Sequence, residues 1–205
     1  MSASIYGILE LLAVISCGFY GILLAVRHEM DVVGVIAVSL IVSFGGGTLR
    51  DLVLDRHPLF WVEKEYYTVL VFAMAIGGSL LCRHVGKLEK WLRVPDALGM
   101  GLYSILGTQL ALDAGTGLFI ASVIGVMTGL FGGVMGEIVC NQIPSIFRPA
   151  PLSATCSFTG AWVYLLLAPL NLPAGVASSA GVLTVMLFRL SAVRYGWSFP
   201  QTSSE

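Results

Sequence analysis

The sequence predicts an all-α, polytopic membrane protein. Its 205 residues are 57% hydrophobic and 11% charged, and their mean hydropathy is +0.88. Soluble domains carry charge on roughly 25% of their residues, so this chain has too few polar side chains to cover a soluble globule. Apolar stretches long enough to cross ~30 Å of hydrocarbon recur along the chain. We expect a single transmembrane domain over residues 1–205.

Seven membrane spans are predicted, bounded by charges, prolines and short turns. The first lacks a basic n-region and a small-residue cleavage site, so we interpret it as a retained span and not a signal peptide. The third span ends before Arg83, and the fourth opens at Pro95. A tight turn at 169–173 joins the last two. The predicted spans cover residues 5–26, 32–57, 66–82, 96–112, 118–143, 152–169 and 173–191.

Glycines interrupt the second and fifth predicted spans. Because glycine has weak helical propensity and free backbone angles, these runs favour helices that stop and restart inside the membrane. Thr48 then stands at the N-cap of the restarted half-helix, with Asp51 three residues later. Freed carbonyls at residues 43–46 and 128–133 are candidate cation ligands. The interrupting glycines are Gly45, Gly46, Gly47, Gly132 and Gly133.

An offset of 86 residues relates the two halves of the chain. Asp51 and Glu137 are 86 residues apart, and the two prolines that close the interrupted spans have the same separation. Because each unit contains an odd number of spans, the second unit enters the membrane from the opposite face, and the repeat is inverted. We place repeat 1 at residues 5–82 and repeat 2 at residues 96–169. The seventh helix, at 173–191, stands outside the duplication.

Charged residues inside these spans are candidate functional residues. An ionised side chain near the bilayer centre costs roughly 2.5–3.5 kcal/mol, so it is expected to face a partner or a water-filled cavity. We expect Arg50 to pair with an acid from another span rather than with its neighbour Asp51, because adjacent helix residues point in different directions. The pseudo-symmetry of the two halves makes Glu137 the leading candidate. A buried ion pair that only fixes helix packing is the alternative. The predicted ion pathway comprises Ser43, Gly45, Gly46, Gly47, Thr48, Arg50, Asp51, Thr128, Gly132, Gly133 and Glu137.

Glu10 and Asp96 also occupy matching positions, each near the start of its repeat. Asp96 follows Pro95, where a carboxylate favours a helix N-terminus, so we expect it to cap its helix. Glu10 lies deeper in its span. Both are treated as accessory residues of the pathway.

Basic residues predict the orientation of the chain. The side with fewer holds only Arg56 and Lys64, whereas the other holds Arg27, Arg148, Arg189, Arg194 and a connector between the halves. Because cytoplasmic loops carry the excess of Lys and Arg, we place the N-terminus outside and the C-terminus in the cytoplasm of the cell inner membrane. We interpret the connector as a topology determinant, and an anionic-lipid site is the alternative. Its basic residues are Arg83, Lys87, Lys90 and Arg93.

Several classes of function are disfavoured. A net charge of −1 without a basic cluster argues against nucleic acid binding. The cysteines lack metal-ligand spacing, and the three histidines lie near span ends without partners at catalytic spacing. We therefore expect no enzyme activity, no cofactor and no bound metal beyond transient monovalent cations. The four cysteines, interpreted as packing residues, are Cys17, Cys82, Cys140 and Cys156.

These motifs resemble those of the prokaryotic trimeric intracellular cation (TRIC) channels, whose bacterial members have also been labelled as glycine transporters. The resemblance covers nearly the whole chain and is carried by residues 44–51, 58–61, 95–99 and 132–144. It implies a homotrimer of seven-helix protomers, each with its own pore, through which monovalent cations, chiefly potassium, pass. The chain departs from the family pattern at Gly136-Glu137. At this place many relatives have an Arg-Asp pair that resembles the pair in the first repeat.

We therefore predict a potassium-permeable monovalent cation channel with a pore inside each protomer, lined by the second and fifth spans. The alternative is a secondary transporter that carries glycine or another small solute by alternating access. A channel needs only weak, multi-site coordination along its path, whereas a transporter needs a coupling-ion or proton relay beside a substrate pocket. The small number of intramembrane acids favours the channel.

Overall fold

A computed structural model describes residues 3–81, 88–147, 152–170, 172–173 and 175–198. In these ranges the regular secondary structure is helical. Two 3₁₀ turns, at Ser145–Phe147 and Ala168–Leu170, accompany the α-helices. The α-helices are α1 (Ala3–Arg27), α2 (Val32–Val53), α3 (Phe60–Glu63), α4 (Glu65–Leu81), α5 (Leu88–Asp113), α6 (Leu118–Val139), α7 (Ser153–Leu167) and α8 (Val176–Tyr195).

The lengths and apolar character of the helices confirm an all-α membrane protein. Five stretches within the described ranges are long and apolar enough to cross a membrane, and they contain α1, α2, α6, α7 and α8. Helix α4 is apolar but has 17 residues, and α5 has 26 residues with charged side chains in its first two turns. The second predicted span is shorter than expected, because α2 ends at Val53 and a loop leads to the short α3.

Helix α5 begins earlier than predicted. Its first residue is Leu88, so Pro95 lies inside the helix and does not open it. The Ser16 hydroxyl of α1 donates a hydrogen bond of 3.0 Å to the Pro95 carbonyl oxygen, so packing against α1 supports this turn. The prediction that Asp96 caps a helix N-terminus is therefore wrong.

Helices α2 and α6 are continuous, and the prediction that they are broken at the glycines is wrong. Helix α2 passes through all three glycines at 45–47, and α6 passes through Gly132 and Gly133. Thr48 is consequently a mid-helix residue. The N-cap of α2 is Asp31, whose carboxylate accepts a hydrogen bond of 2.8 Å from the Gly34 amide.

Close helix packing explains the glycines. A β-carbon placed on Gly46 would overlap the Thr128 carbonyl oxygen, and one placed on Gly132 would overlap the Val42 carbonyl oxygen. The α2 and α6 backbones therefore touch at what we call the glycine crossing, formed by Val42, Gly46, Thr128 and Gly132. Small residues permit such an approach in membrane helices. The two contacts are reciprocal, since each residue has its counterpart 86 positions away.

An apolar and aromatic core connects α3 to this crossing. Phe60 is buried with Phe44, Tyr67 and Tyr103 in the cluster that also contains Val14. The Phe60 ring occupies the space that a side chain at position 47 would need, so Gly47 also serves packing. The loop after α2 thereby returns to the interior and places α3 against the end of α2.

Candidate functional site

Arg50 lies at the centre of a group that we call the first charged cluster, made of Glu10, Arg50, Asp51, Lys64 and Tyr67, of which all but Lys64 are buried. Arg50 is 1% exposed. Its Nε donates a hydrogen bond of 2.8 Å to Asp51 Oδ1, and its Nη2 lies 2.7 Å from the same oxygen. The Nη2 atom is also 3.7 Å from Glu10 Oε1. One guanidinium therefore compensates two buried carboxylates.

The predicted pairing of Arg50 with Glu137 is wrong, because Arg50 pairs most closely with its own neighbour. The expected acid from another span is Glu10 of α1. Cα–Cβ bonds of adjacent helix residues do point apart. The long arginine stem nevertheless lets the guanidinium turn back to Asp51 Oδ1. Sequence reasoning underestimated the reach of this side chain.

Asp51 connects the charged cluster to α3. Its second oxygen, Oδ2, accepts a hydrogen bond of 3.0 Å from the Phe60 backbone amide. The Arg50 guanidinium lies 5.2 Å from the centre of the Phe60 ring, within the range of a cation–π interaction. Both charges of the pair therefore hold the α3 segment against the end of α2.

Glu10 receives two further partners that the sequence analysis missed. Lys64 Nζ lies 2.6 Å from Glu10 Oε2, and the Tyr67 hydroxyl donates a 3.2 Å hydrogen bond to the same oxygen. We had assigned Lys64 to a loop outside the spans. The aromatic residues around it, Trp61 and Tyr66-Tyr67, were the available signal that this segment packs against the protein.

A wide cavity of about 540 Å³ opens beside the first charged cluster. Glu10 and Lys64 line it together with residues from the end of α5. At its edge the Tyr6 hydroxyl donates a hydrogen bond to Asp113. The charged residues lining this wide cavity are Glu10, Arg56, Glu63, Lys64 and Asp113.

A second charged cluster, formed by Asp96, Glu137 and Arg189, lines a narrow cavity of about 40 Å³. Nη2 and Nε of Arg189 lie 3.2 and 3.3 Å from Asp96 Oδ2. Glu137 Oε2 accepts a 2.6 Å hydrogen bond from the Ser145 amide. Tyr20 and Gly133 also line this cavity. A space of this size has room for about one water molecule or a small ion.

Arg189 had been counted among the basic residues of the cytoplasmic tail, and that assignment is wrong. Helix α8 extends to Tyr195, so Arg189 lies within it and is buried. The signal was its sequence context, because Arg189 follows the apolar run Val185 to Phe188 and precedes Leu190. An arginine inside such a run is expected to have an intramembrane partner.

The two clusters lie on opposite sides of the glycine crossing. On α1, Glu10 lines the wide cavity and Tyr20 the narrow one, a separation of about 15 Å along a helix. On α2, Val42 lines the narrow cavity, and Arg50 belongs to the first charged cluster. Gly46 lies midway between these two residues of α2.

The hydroxyl and carbonyl groups proposed as cation ligands have protein partners in this structure. The Tyr103 hydroxyl donates a 2.6 Å hydrogen bond to the Ser43 carbonyl, and the Ser43 hydroxyl lies 3.5 Å from the Val14 carbonyl. Thr128 Oγ1 donates to the Ile124 carbonyl at 2.7 Å. The Thr48 hydroxyl accepts a 3.0 Å hydrogen bond from the Trp61 indole.

Tyr103 is another residue that sequence reasoning missed, and its bond to Ser43 is testable. We expect Tyr103→Phe to lower the free energy of unfolding by about 1 kcal/mol, because one buried hydrogen bond is lost while the ring is retained. Thermal unfolding of the purified protein measures the effect. Tyr195→Phe removes a hydroxyl from an exposed side chain and is the control. Equal melting temperatures for both variants would contradict the assigned role of the Tyr103 hydroxyl.

The basic connector falls largely outside the described residues. Arg83 and Lys87 lie outside them, as do Arg148 and the Lys90 side chain. Arg93 is exposed on the first turns of α5.

The apolar helices define a helical integral membrane protein, with charged side chains clustered among them. The sequence model of the family described as "Glycine transporter" matches the chain twice, at residues 7–83 and 93–169. The chain belongs to this family. The starts and the ends of the two matches are each separated by 86 residues.

Relatives of similar length extend this assignment. The UPF0126 inner membrane protein YadS of Escherichia coli K12 is 33% identical over 181 residues, which cover 88% of this chain and 87% of YadS. The UPF0126 membrane protein YvgT of Bacillus subtilis is 24% identical and covers 96% of both chains.

Solved structures of TRIC channels have the same fold. The TRIC trimeric intracellular cation channel orthologue from Rhodobacter sphaeroides superimposes with a TM-score of 0.88 at 30% identity, covering 95% of this chain and 100% of that one. A second TRIC cation channel structure gives a TM-score of 0.85 at 25% identity, covering 97% and 98%. The predicted resemblance to TRIC channels is confirmed.

Proposed function

We propose that this protein is a monovalent cation channel, permeable to potassium, with a pathway inside each protomer. The pathway runs from the wide cavity, past the glycine crossing, to the narrow cavity. The observation that carries the proposal is the charge of the two linings. Three carboxylates and two basic groups line the wide cavity, and two carboxylates and one guanidinium line the narrow one. Both ends therefore favour cations over anions.

The similarity to TRIC cation channels supports this activity in preference to an enzymatic one. The Rhodobacter sphaeroides orthologue is a trimeric cation channel, and we propose a homotrimer for this chain as well. Because the relative YadS is an inner membrane protein, we place the chain in the cell inner membrane. Because cytoplasmic loops carry the excess of Lys and Arg, we propose that the N-terminus lies outside and the C-terminus lies in the cytoplasm. An anionic-lipid site at Arg83, Lys87, Lys90 and Arg93 remains a proposal.

We propose that seven helices span the membrane as two inverted three-helix repeats plus α8. Two observations support the duplication. The family model matches twice at an offset of 86 residues, and the contacts at the glycine crossing are reciprocal at the same offset. In this arrangement α1, α2 and α4 correspond to α5, α6 and α7.

The glycine crossing separates the two cavities, and we assign this structure to a closed state. At the crossing the α2 backbone touches the α6 backbone, which is too close for an ion to pass between them. Ser43 and Thr128 lie beside this contact with their hydroxyls engaged. Conduction then requires α2 and α6 to separate. To coordinate a passing cation, the Ser43 and Thr128 hydroxyls must also exchange their present hydrogen bonds to Val14 and Ile124.

Alternating-access transport of glycine or another small solute is the second candidate. The description of the matching family favours it. The wide cavity also offers what a zwitterion needs, namely carboxylates for its ammonium group and the basic Arg56 and Lys64 for its carboxylate. In the channel, potassium moves without a bound solute. In the transporter, it does not.

The Gly133→Leu variant tests the proposed pathway. Gly133 lines the narrow cavity, and a β-carbon there meets only Tyr20 Cε1, at 3.9 Å, within 4 Å. The leucine side chain therefore fills the cavity without displacing a helix. We expect potassium flux into proteoliposomes to fall at least about tenfold, because a filled constriction excludes the ion.

Gly77→Leu is the matched control, because a β-carbon on Gly77 meets no atom within 4 Å. Its flux should equal that of the unmodified protein. Unchanged flux in Gly133→Leu, with unchanged insertion, would show that ions do not pass through the narrow cavity.

A further inference from the structure

We infer that Arg189 of α8 supplies to the second charged cluster the positive charge that Arg50 supplies to the first, and thereby sets the cation preference of the narrow cavity. This inference rests on the proposed channel function. It concerns a residue outside the duplicated part of the chain.

The carboxylates of the two clusters correspond, whereas the cations do not. At the offset of 86 residues, Glu10 corresponds to Asp96 and Asp51 to Glu137, but Arg50 corresponds to Gly136. The second cluster thus keeps two carboxylates and loses the arginine of its own repeat. Ionised carboxylates inside a membrane are expected to face an oppositely charged partner or a water-filled cavity.

The acid of α6 retains the role of its counterpart on α2. Asp51 accepts a hydrogen bond from the Phe60 amide, and Glu137 accepts one from the Ser145 amide. Ser145 lies one residue before the position equivalent to Phe60. Each acid therefore fastens the loop that follows its helix, and the difference between the clusters lies in the source of the cation.

A side chain at position 136 cannot supply the missing cation unless neighbouring residues move. A β-carbon on Gly136 would overlap Val42 Cγ2 and would lie 3.2 Å from Leu24 Cδ2. Side chains of α1 and α2 therefore fill the space that an arginine side chain at position 136 would need. The cation has to come from another element, and Arg189 reaches the same cavity from α8, with its Nη2 3.2 Å from Asp96 Oδ2.

The two guanidiniums are held differently. Arg50 bonds to the adjacent residue of its own helix and has a fully buried side chain. Arg189 reaches from α8 to Asp96 on α5, and the Asp96 side chain is 26% exposed. A cation that enters the narrow cavity thus meets the Arg189 charge directly, and the balance between Arg189 and Asp96 determines the local potential.

Two substitutions with opposite charge effects test the inference. Arg189→Gln leaves two uncompensated carboxylates in the narrow cavity, so we expect the potassium-to-chloride permeability ratio to rise at least roughly tenfold. At an effective dielectric constant of about 20, one unit charge about 12 Å from an ion changes its equilibrium by that factor, and a closer charge changes it more. Asp96→Asn removes one of these negative charges, so the ratio should fall by a similar factor. Reversal potentials in planar bilayers under a potassium chloride gradient measure both ratios.

Arg194→Gln is the control, since it makes the same charge change on an exposed side chain of the same helix. Its ratio should equal that of the unmodified channel. Shifts in the same direction for Arg189→Gln and Asp96→Asn would overturn the inference, because an ion pair that only fixes packing is broken by either substitution. An Arg189→Gln ratio equal to the control would overturn it too. Absence of currents in the unmodified protein would instead contradict the proposed channel function.

Discussion

Replacement of Arg50 with glutamine should lower the free energy of unfolding by about 3–5 kcal/mol, the usual cost of removing one partner from a buried ion pair. The substitution leaves Asp51 and Glu10 buried without their shared guanidinium. It also removes the cation over the Phe60 ring. Thermal unfolding of the purified protein measures the loss. Arg27→Gln, which changes an exposed arginine at the end of α1, is the control.

A double-substitution cycle separates the ion pair from other effects of Arg50. Asp51→Asn should be destabilising alone, and the combination with Arg50→Gln should cost less than the sum of the two single changes. Additive losses would show that Arg50 and Asp51 contribute to stability independently. The ion pair between them would then not be what stabilises the first charged cluster.

Replacement of Gly46 with alanine should weaken the glycine crossing by about 3 kcal/mol, because one added methyl group meets the Thr128 backbone and not a flexible side chain. The neighbouring Gly45→Ala is a matched control. Its β-carbon would lie 3.4 Å from the Gly132 Cα, an ordinary contact, while both variants gain up to ~1 kcal/mol of helix propensity.

Melting temperatures of the two purified variants measure this contrast. The expected order is Gly45→Ala at or above the unmodified protein and Gly46→Ala well below it. Equal melting temperatures would mean that α2 and α6 are not held in backbone contact, and the closed state assigned to this structure would be wrong.

The sequence predicts the helices and marks the glycines as important. It does not show whether the glycines break the helices or let them pack closely. Length and hydropathy place α1, α2 and α6 within a few residues of their observed bounds. A glycine run is equally compatible with a helix break and with close packing. The choice depends on the facing helix, and here the Thr128 and Val42 carbonyls lie where side chains would be.

The charged clusters were predicted in part. Sequence position marked Glu10, Arg50 and Glu137 as intramembrane charges, and the offset of 86 residues related the acids of the two halves. Their partners depend on packing between distant segments. Lys64 and Arg189 were assigned to solvent because they lie near predicted span ends, whereas the junction of α3 and α4 brings Lys64 to Glu10 and α8 brings Arg189 to Asp96.

At Gly136 the second repeat lacks the arginine of the first. Sequence comparison within the chain revealed that an arginine was absent from the second repeat. Taken alone, that absence implies the loss of a fixed positive charge from the second repeat. The structure places Arg189 in the same cavity as Glu137 and Asp96, so the narrow cavity does contain a guanidinium.

Planar-bilayer recording of the purified protein under asymmetric potassium chloride, with radiolabelled glycine uptake on the same preparation, tests the central claim most directly. The proposed channel predicts discrete current steps that reverse towards the potassium equilibrium potential in the absence of glycine. Glycine accumulation in proteoliposomes without unitary currents would contradict the channel and establish the transporter.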